Sequence, residues 1–104
     1  MNNKNLIGLG MFTQYCVLKF IHDNKPIDER LRSFISKNYN FLYPPTGFSR
    51  YQYLDSILDI GLIIKDEQNV ISLTKLGENE YEQLSNKKDG IRIIEERYSV
   101  DFSM

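Results

Sequence analysis

Cys16 and His22 are the only thiol and the only imidazole among the 104 residues. A lone cysteine excludes an internal disulfide and a cysteine-based zinc site. With a single histidine, one chain cannot assemble a catalytic triad or a histidine-rich metal cluster. Cys16 falls in an apolar run, where a thiol is inert core rather than a nucleophile. His22 stands near the C-terminus of a predicted helix, where a cation is favoured, and reads as a capping or surface residue. Glu78, Glu80 and Glu82 lack partner ligands for a metal and suit the solvated first turn of a helix, where the dipole favours acids. Gly8-Leu9-Gly10 is half of a dinucleotide fingerprint, with no strand before it and no third glycine, and reads as a flexible lead into the first helix. No enzyme chemistry and no cofactor is therefore expected. What remains is binding through charge, hydrogen bonds and aromatic stacking. Of the seven tyrosines, Tyr15 and Tyr81 lie on core stripes. Tyr39, Tyr43, Tyr51 and Tyr53 are left as exposed candidates for stacking.

Charge is unevenly placed. The total is −1, with 13 basic and 14 acidic side chains, so no global attraction to nucleic acid follows. Residues 1–50 carry seven basic and three acidic groups, a net +4, while residues 51–104 carry six and eleven, a net −5. A near-neutral total can thus hide a basic face and an acidic face that steer different partners. Ordinary solvated surface on both halves accounts for the numbers equally well. The chain has the length of one domain, and 41% apolar residues suffice for one core. No apolar run approaches the ~20 residues that span a bilayer. Residues 1–10 contain only Lys4 as a base and no apolar stretch of signal-peptide length, so a cytoplasmic location without membrane attachment is expected.

The elements that would position such residues can be read in order. Gly10 to Asp23 is apolar on nearly all sides: Met11, Tyr15 and Leu18 on one stripe, Phe12, Cys16 and Phe20 on a second, Val17 and Ile21 on a third. That pattern predicts a central buried helix, ended by Asn24-Lys25-Pro26. Asp28 offers an N-cap for a second helix with Leu31, Phe34 and Ile35 inward. Residues 38–47, with Pro44-Pro45-Thr46-Gly47, read as a connection anchored by Phe41, Leu42 and Tyr43. Ser49 and Gln52 form the S-x-x-Q capping box of a third helix, with Phe48 and Tyr53 placed for a hydrophobic staple. Leu54, Ile57 and Leu58 give its core face, and Gly61 closes it. Residues 62–73 predict a short β-hairpin turning at Asp66-Glu67-Gln68-Asn69. Thr74 caps a fourth helix with Leu76, Tyr81 and Leu84 inward, and Ile91, Ile94 and Tyr98 suggest one more short helix. Residues 99–104 are expected to fray.

The order helix, helix, helix, hairpin, helix resembles the winged helix-turn-helix superfamily of MarR-like and PadR-like regulators. Leu54-Asp55-Ser56-Ile57-Leu58-Asp59-Ile60-Gly61-Leu62-Ile63 looks like the end of that family's recognition helix running into its wing. Residues 71–84, from Ile71-Ser72-Leu73-Thr74 through Gly77 and Tyr81 to Leu84, look like the second wing strand running into the next helix. The resemblance covers roughly residues 11–85 and implies an α+β, mainly α fold: three helices, a two-stranded wing and C-terminal helices. Residues 1–10 would be a flexible lead, and residues 86–104 a short helix and tail suited to dimerisation.

The resemblance further implies sequence-specific binding of double-stranded DNA by a small, homodimeric transcriptional regulator, with helix 49–60 in the major groove. By position, the reading residues would be Ser49, Arg50, Tyr51, Gln52 and Ser56. Their chemistry suits the role: Arg pairs bidentately with guanine and Gln with adenine, and Ser49 at a helix N-terminus can hold a phosphate. Arg30, Arg32 and Lys37 would neutralise backbone phosphates, with Lys65 as the wing's one base. Gln52 keeps its alternative as a capping-box residue, and Arg50 as a solvated first-turn residue. The wing tip departs from the pattern, because Asp66 and Glu67 would repel phosphate. Asp55 and Asp59 add negative charge to the third helix. A non-catalytic protein–protein interaction module, either an accessory subunit or an inhibitor with an acidic face, is the alternative.

Overall fold

The computed structural model describes residues 7–28, 30–38 and 50–103, with the backbone alone at 50–54. Five helices and two strands follow one another as α1 (Leu9–Asn24), α2 (Arg30–Lys37), α3 (Arg50–Asp59), β1 (Ile63–Lys65), β2 (Ile71–Leu73), α4 (Lys75–Ser85) and α5 (Lys88–Glu95). The expected α+β, mainly α class and the place of the hairpin between third and fourth helix agree with this order. Of the expected connection 38–47, Asn38 is described, while residues 39–47, with Phe41, Leu42 and Tyr43, lie outside the described residues, as do Phe48 and residues 1–6.

α1 is the centre of the molecule because its sequence is apolar almost all round. Phe12, Cys16, Val17, Leu18, Phe20 and Ile21 are all buried, and α2, α4, α5 and β2 pack around them. Met11 departs from the expected stripe: it is 43% exposed, on the side of α1 away from the buried Phe12 and Thr13 that follow it. Within the core Phe20 stacks on Phe34 of α2 at 4.2 Å between ring centroids. Such a pair contributes about 0.5–1.5 kcal/mol beyond its buried area. No described helix is long and apolar enough to cross a membrane.

The hairpin is short but fastened along the outer edge of β2. β1 and β2 pair antiparallel, with Ile63 opposite Leu73 and Lys65 opposite Ile71. Ile27, in the link between α1 and α2, exchanges two backbone hydrogen bonds with Ile71. Both polar groups of one strand residue point to the same edge, so Ile27 lies on the side of β2 away from β1. At the tip, Asp66 Oδ1 accepts from the N–H groups of Gln68 and Val70 at 2.8 and 2.9 Å. Asn69 closes the turn with φ +65°, a conformation asparagine tolerates.

Two junctions fix the helices that follow. Gly61 ends α3 at φ +83°, as its position predicts. Thr74 then binds in two directions: its Oγ1 donates to the Gly61 carbonyl and accepts from Gly77 N–H at 3.0 Å. Gly77 lies so close to the preceding chain that an added Cβ would fall 2.0 Å from the Leu62 carbonyl oxygen. Leu84 is buried and Tyr81 half-buried, but Leu76 is 54% exposed, contrary to expectation. The close approach of backbone at Gly77 occupies the inward face of that turn and leaves Leu76 outside.

The C-terminal stretch corrects two expectations. Ile91 and Ile94, on the short helix expected to suit dimerisation, are buried within their own chain, where α5 packs on α1. Residues 99–103 are held rather than frayed. Asn38, 1% exposed, clasps Asp101 by accepting from its N–H at 2.8 Å and donating to its carbonyl at 2.9 Å. Phe102 stacks on Phe34 at 5.4 Å, with the Lys19 ammonium 5.7 Å from its ring centroid on α1.

Candidate nucleic-acid interface

α2, α3 and the hairpin meet around a groove of about 210 Å³, lined by Asp28, Arg32, Asp55, Leu58, Ile63, Lys65, Asn69 and Ile71. Its floor is apolar, since Ile63 and Ile71 are core residues and Leu58 is half-buried. Its rim carries charge of both signs on exposed side chains. Asp55 and Leu58 reach it together because residues three apart share a helix face.

The expected phosphate contacts fall into two groups. Arg32 and Lys65 come from opposite walls, one on α2 and one at the end of β1. Neither forms an ion pair with another described residue. Arg30 and Lys37 are engaged elsewhere. Arg30 Nε donates to Asp28 Oδ1 at 2.9 Å, and its backbone N–H reaches the same oxygen at 3.1 Å. Those donors hold the Asp28 carboxyl below the usual carboxylate range, the backbone bond first and the guanidinium second. The backbone bond is the N-cap expected of Asp28. Lys37 Nζ donates to the Ser103 carbonyl at 2.5 Å and lies 3.5 Å from Asp101 Oδ2. Sequence reasoning missed this because it required the tail, 66 residues on, to return to α2.

Among the expected base-reading residues, Ser56 is half-buried on α3. Ser49 and the side chains of Arg50, Tyr51, Gln52 and Tyr53 lie outside the described residues, so the capping box and staple do too. α3 begins at Arg50, one residue after the expected cap. Asp59 is exposed near the C-terminal end of α3. Glu67 is exposed at the hairpin tip, while Asp66, also exposed, uses one carboxylate oxygen to hold the turn.

Of the residues set aside as inert, Cys16 sits in the core as expected, whereas of the three glutamates only Glu78 falls in the first turn of α4. Cys16 is fully buried, and burial pushes its thiol far above the usual cysteine range, so thiolate does not form there. His22 packs its ring on Tyr81 at 4.7 Å and places Nδ1 3.1 Å from Asp23 Oδ1. Glu78 pairs with Lys25 at 3.2 Å, and Glu80 accepts from Gln14 at 3.1 Å. Among the described residues no cluster of histidine, cysteine and carboxylate side chains could hold a metal. Aliphatic surface is exposed at Ile60 (57%), Ile64 (57%) and Leu76 (54%), the last beside Gly61. No protein-family model, curated protein or solved structure matches the chain.

Proposed function

We propose that the chain is a winged-helix protein that binds double-stranded DNA and acts as a small transcriptional regulator, with α3 in the major groove. One observation carries this reading: Arg32 on α2 and Lys65 on the hairpin, without an ion-pair partner among the described residues, line one groove with α3. Two such cations can grip phosphates flanking an inserted helix, since phosphate contacts position a protein while base contacts specify. The Ile27–Ile71 bridge supports it by fixing the hairpin to the helix pair. Arg30 remains a candidate, because an exposed pair such as Arg30–Asp28 is screened by solvent and yields to a phosphate. Arg50 and Gln52 remain the proposed base readers. A homodimer matched to two half-sites would use surface other than Ile91 and Ile94, which are buried.

DNA affinity at two salt concentrations tests the reading. Arg32→Ala and Lys65→Ala should each weaken binding on all sequences and reduce the salt slope by about one charge. Arg50→Ala should cost ~1–3 kcal/mol at one base pair and relax specificity there. Absence of binding tighter than ~10⁻⁵ M at low salt would overturn it.

The second reading, a protein–protein interaction module, is favoured by the exposed Ile60, Ile64 and Leu76 beside the acids Asp59 and Glu67. Charge reversal at Glu67 is its clean probe, because the same change at Asp66 would also break the turn.

A further inference from the structure

We propose that the groove between α2, α3 and the hairpin binds a small zwitterion with an apolar body, of the class of a free aliphatic α-amino acid. Its rim places Arg32 and Lys65 against Asp28 and Asp55 around one space of about 210 Å³. These four do not neutralise one another. Asp28 is held by Arg30, while Arg32, Asp55 and Lys65 form no ion pair with any described residue. Opposite charges that line one groove without closing on each other leave room for a ligand carrying both signs. A carboxylate is received by Arg32, whose planar fork matches it, with Lys65 adding a second cation. An ammonium is received by Asp55, the rim carboxylate with no protein partner among the described residues.

The floor sets the rest of the ligand. Leu58, Ile63 and Ile71 present aliphatic surface, and Asn69 supplies one amide at the hairpin tip. A short aliphatic side chain covers the part of Leu58 left to solvent and rests on Ile63 and Ile71, which are already buried. The volume is below the ~300–1,000 Å³ of sites for drug-sized ligands, so the occupant is small. A ligand seated there would cover Arg32 and Lys65 and so oppose phosphate binding. That consequence rests on the DNA reading, whereas the site does not, and binding measured without DNA keeps the two apart.

The experiment is a titration of the full chain, followed by the backbone amide signals of Asn69 and Ile71, with L-leucine, 4-methylpentanoate and 3-methylbutylamine. The expected result is a saturable shift with leucine, and binding weaker by about tenfold or more for each one-charge analogue. Arg32→Gln should weaken leucine and the acid but leave the amine unchanged. Asp55→Asn should weaken leucine and the amine but leave the acid unchanged. Both substitutions are at exposed positions, so the fold survives them. No saturable shift by leucine up to about 10 mM, a concentration that detects even millimolar affinity, overturns the proposal. So does equal binding of all three compounds, or loss of leucine binding in neither variant. A protein that binds DNA but no zwitterion refutes the site alone. One that binds the zwitterion but no DNA refutes the regulator alone.

Discussion

The junction around Thr74 and the clasp around Asn38 solve one problem with opposite sequence economies. Each uses a small polar side chain to satisfy two backbone groups at once. Thr74 joins Gly61 to Gly77 and closes a loop of 13 residues. Asn38 holds both polar groups of Asp101, 63 residues away. The first is written locally: a glycine at positive φ, a threonine at the cap, a glycine in the next turn. The second rests on a residue type that is common in loops and gives no local sign of its partner. The difference teaches that a fastener's sequence signal falls with the length of chain it closes, even when its hydrogen bonds are equally good.

The comparison breaks first at Gly77. A methyl there meets the Leu62 carbonyl, a main-chain atom that cannot swing aside. Gly77→Ala should cost about 3 kcal/mol or more in urea unfolding. A loss below about 1 kcal/mol would show that the junction yields as a flexible loop does. Asn38→Ala should come next, at about 2 kcal/mol, because it empties a buried site and leaves the N–H and carbonyl of Asp101 without their partner. It should also speed amide exchange at Asp101 and Ser103 while leaving the hairpin protected. Uniform exchange across both regions would mean that the tail and the hairpin open together. Thr74→Ala should cost about 1 kcal/mol, a typical capping loss, and Thr74→Ser should recover most of it.

The smallest effect is acid release of the tail. The Ser103 hydroxyl and then its N–H hold the Asp101 carboxyl below its ordinary value of 3.8, with Lys37 adding to them. A carboxyl depressed by folding contributes stability that is fully present above its unfolded value and lost as pH falls through the folded one. Contacts of Phe102 with Phe34 should therefore weaken only below about pH 4, seen as ring-proton shifts. Asp101→Asn should remove that acid step, and an unchanged step would place its origin in another carboxyl, such as Asp28.

The same contrast explains what could be read beforehand. Helical periodicity placed α1, and Asp28, Gly61 and Thr74 announced helix ends, since caps and positive-φ turns depend on neighbours within a few residues. The hairpin followed from two short apolar runs around a polar turn. Leu76 was misplaced because helical spacing cannot show which turn another backbone will crowd. Ile27 gave no hint of its bridge to Ile71, a single residue pairing across 44 positions. In the candidate interface, charge and position alone selected Arg30, Arg32, Lys37 and Lys65. Lys37 finds its partners through the tertiary fold, in the tail 66 residues on, whereas Arg30 pairs locally with Asp28, two residues back. That Asp55 shares a groove with Arg32 and Lys65 was invisible, because three separate elements supply them.

The all-round burial of α1 has a consequence for biosynthesis. Its partners on α4 lie about sixty residues further along, so the ribosome releases α1 well before they exist. At ~5–20 residues per second the nascent chain presents Phe12, Phe20 and Ile21 to the surroundings for roughly 3–12 s. During that interval α2 can shelter only part of the helix, through the Phe20–Phe34 pair. Translation speed and chaperone occupancy over this window thus act on the chain before the stability of the finished domain can.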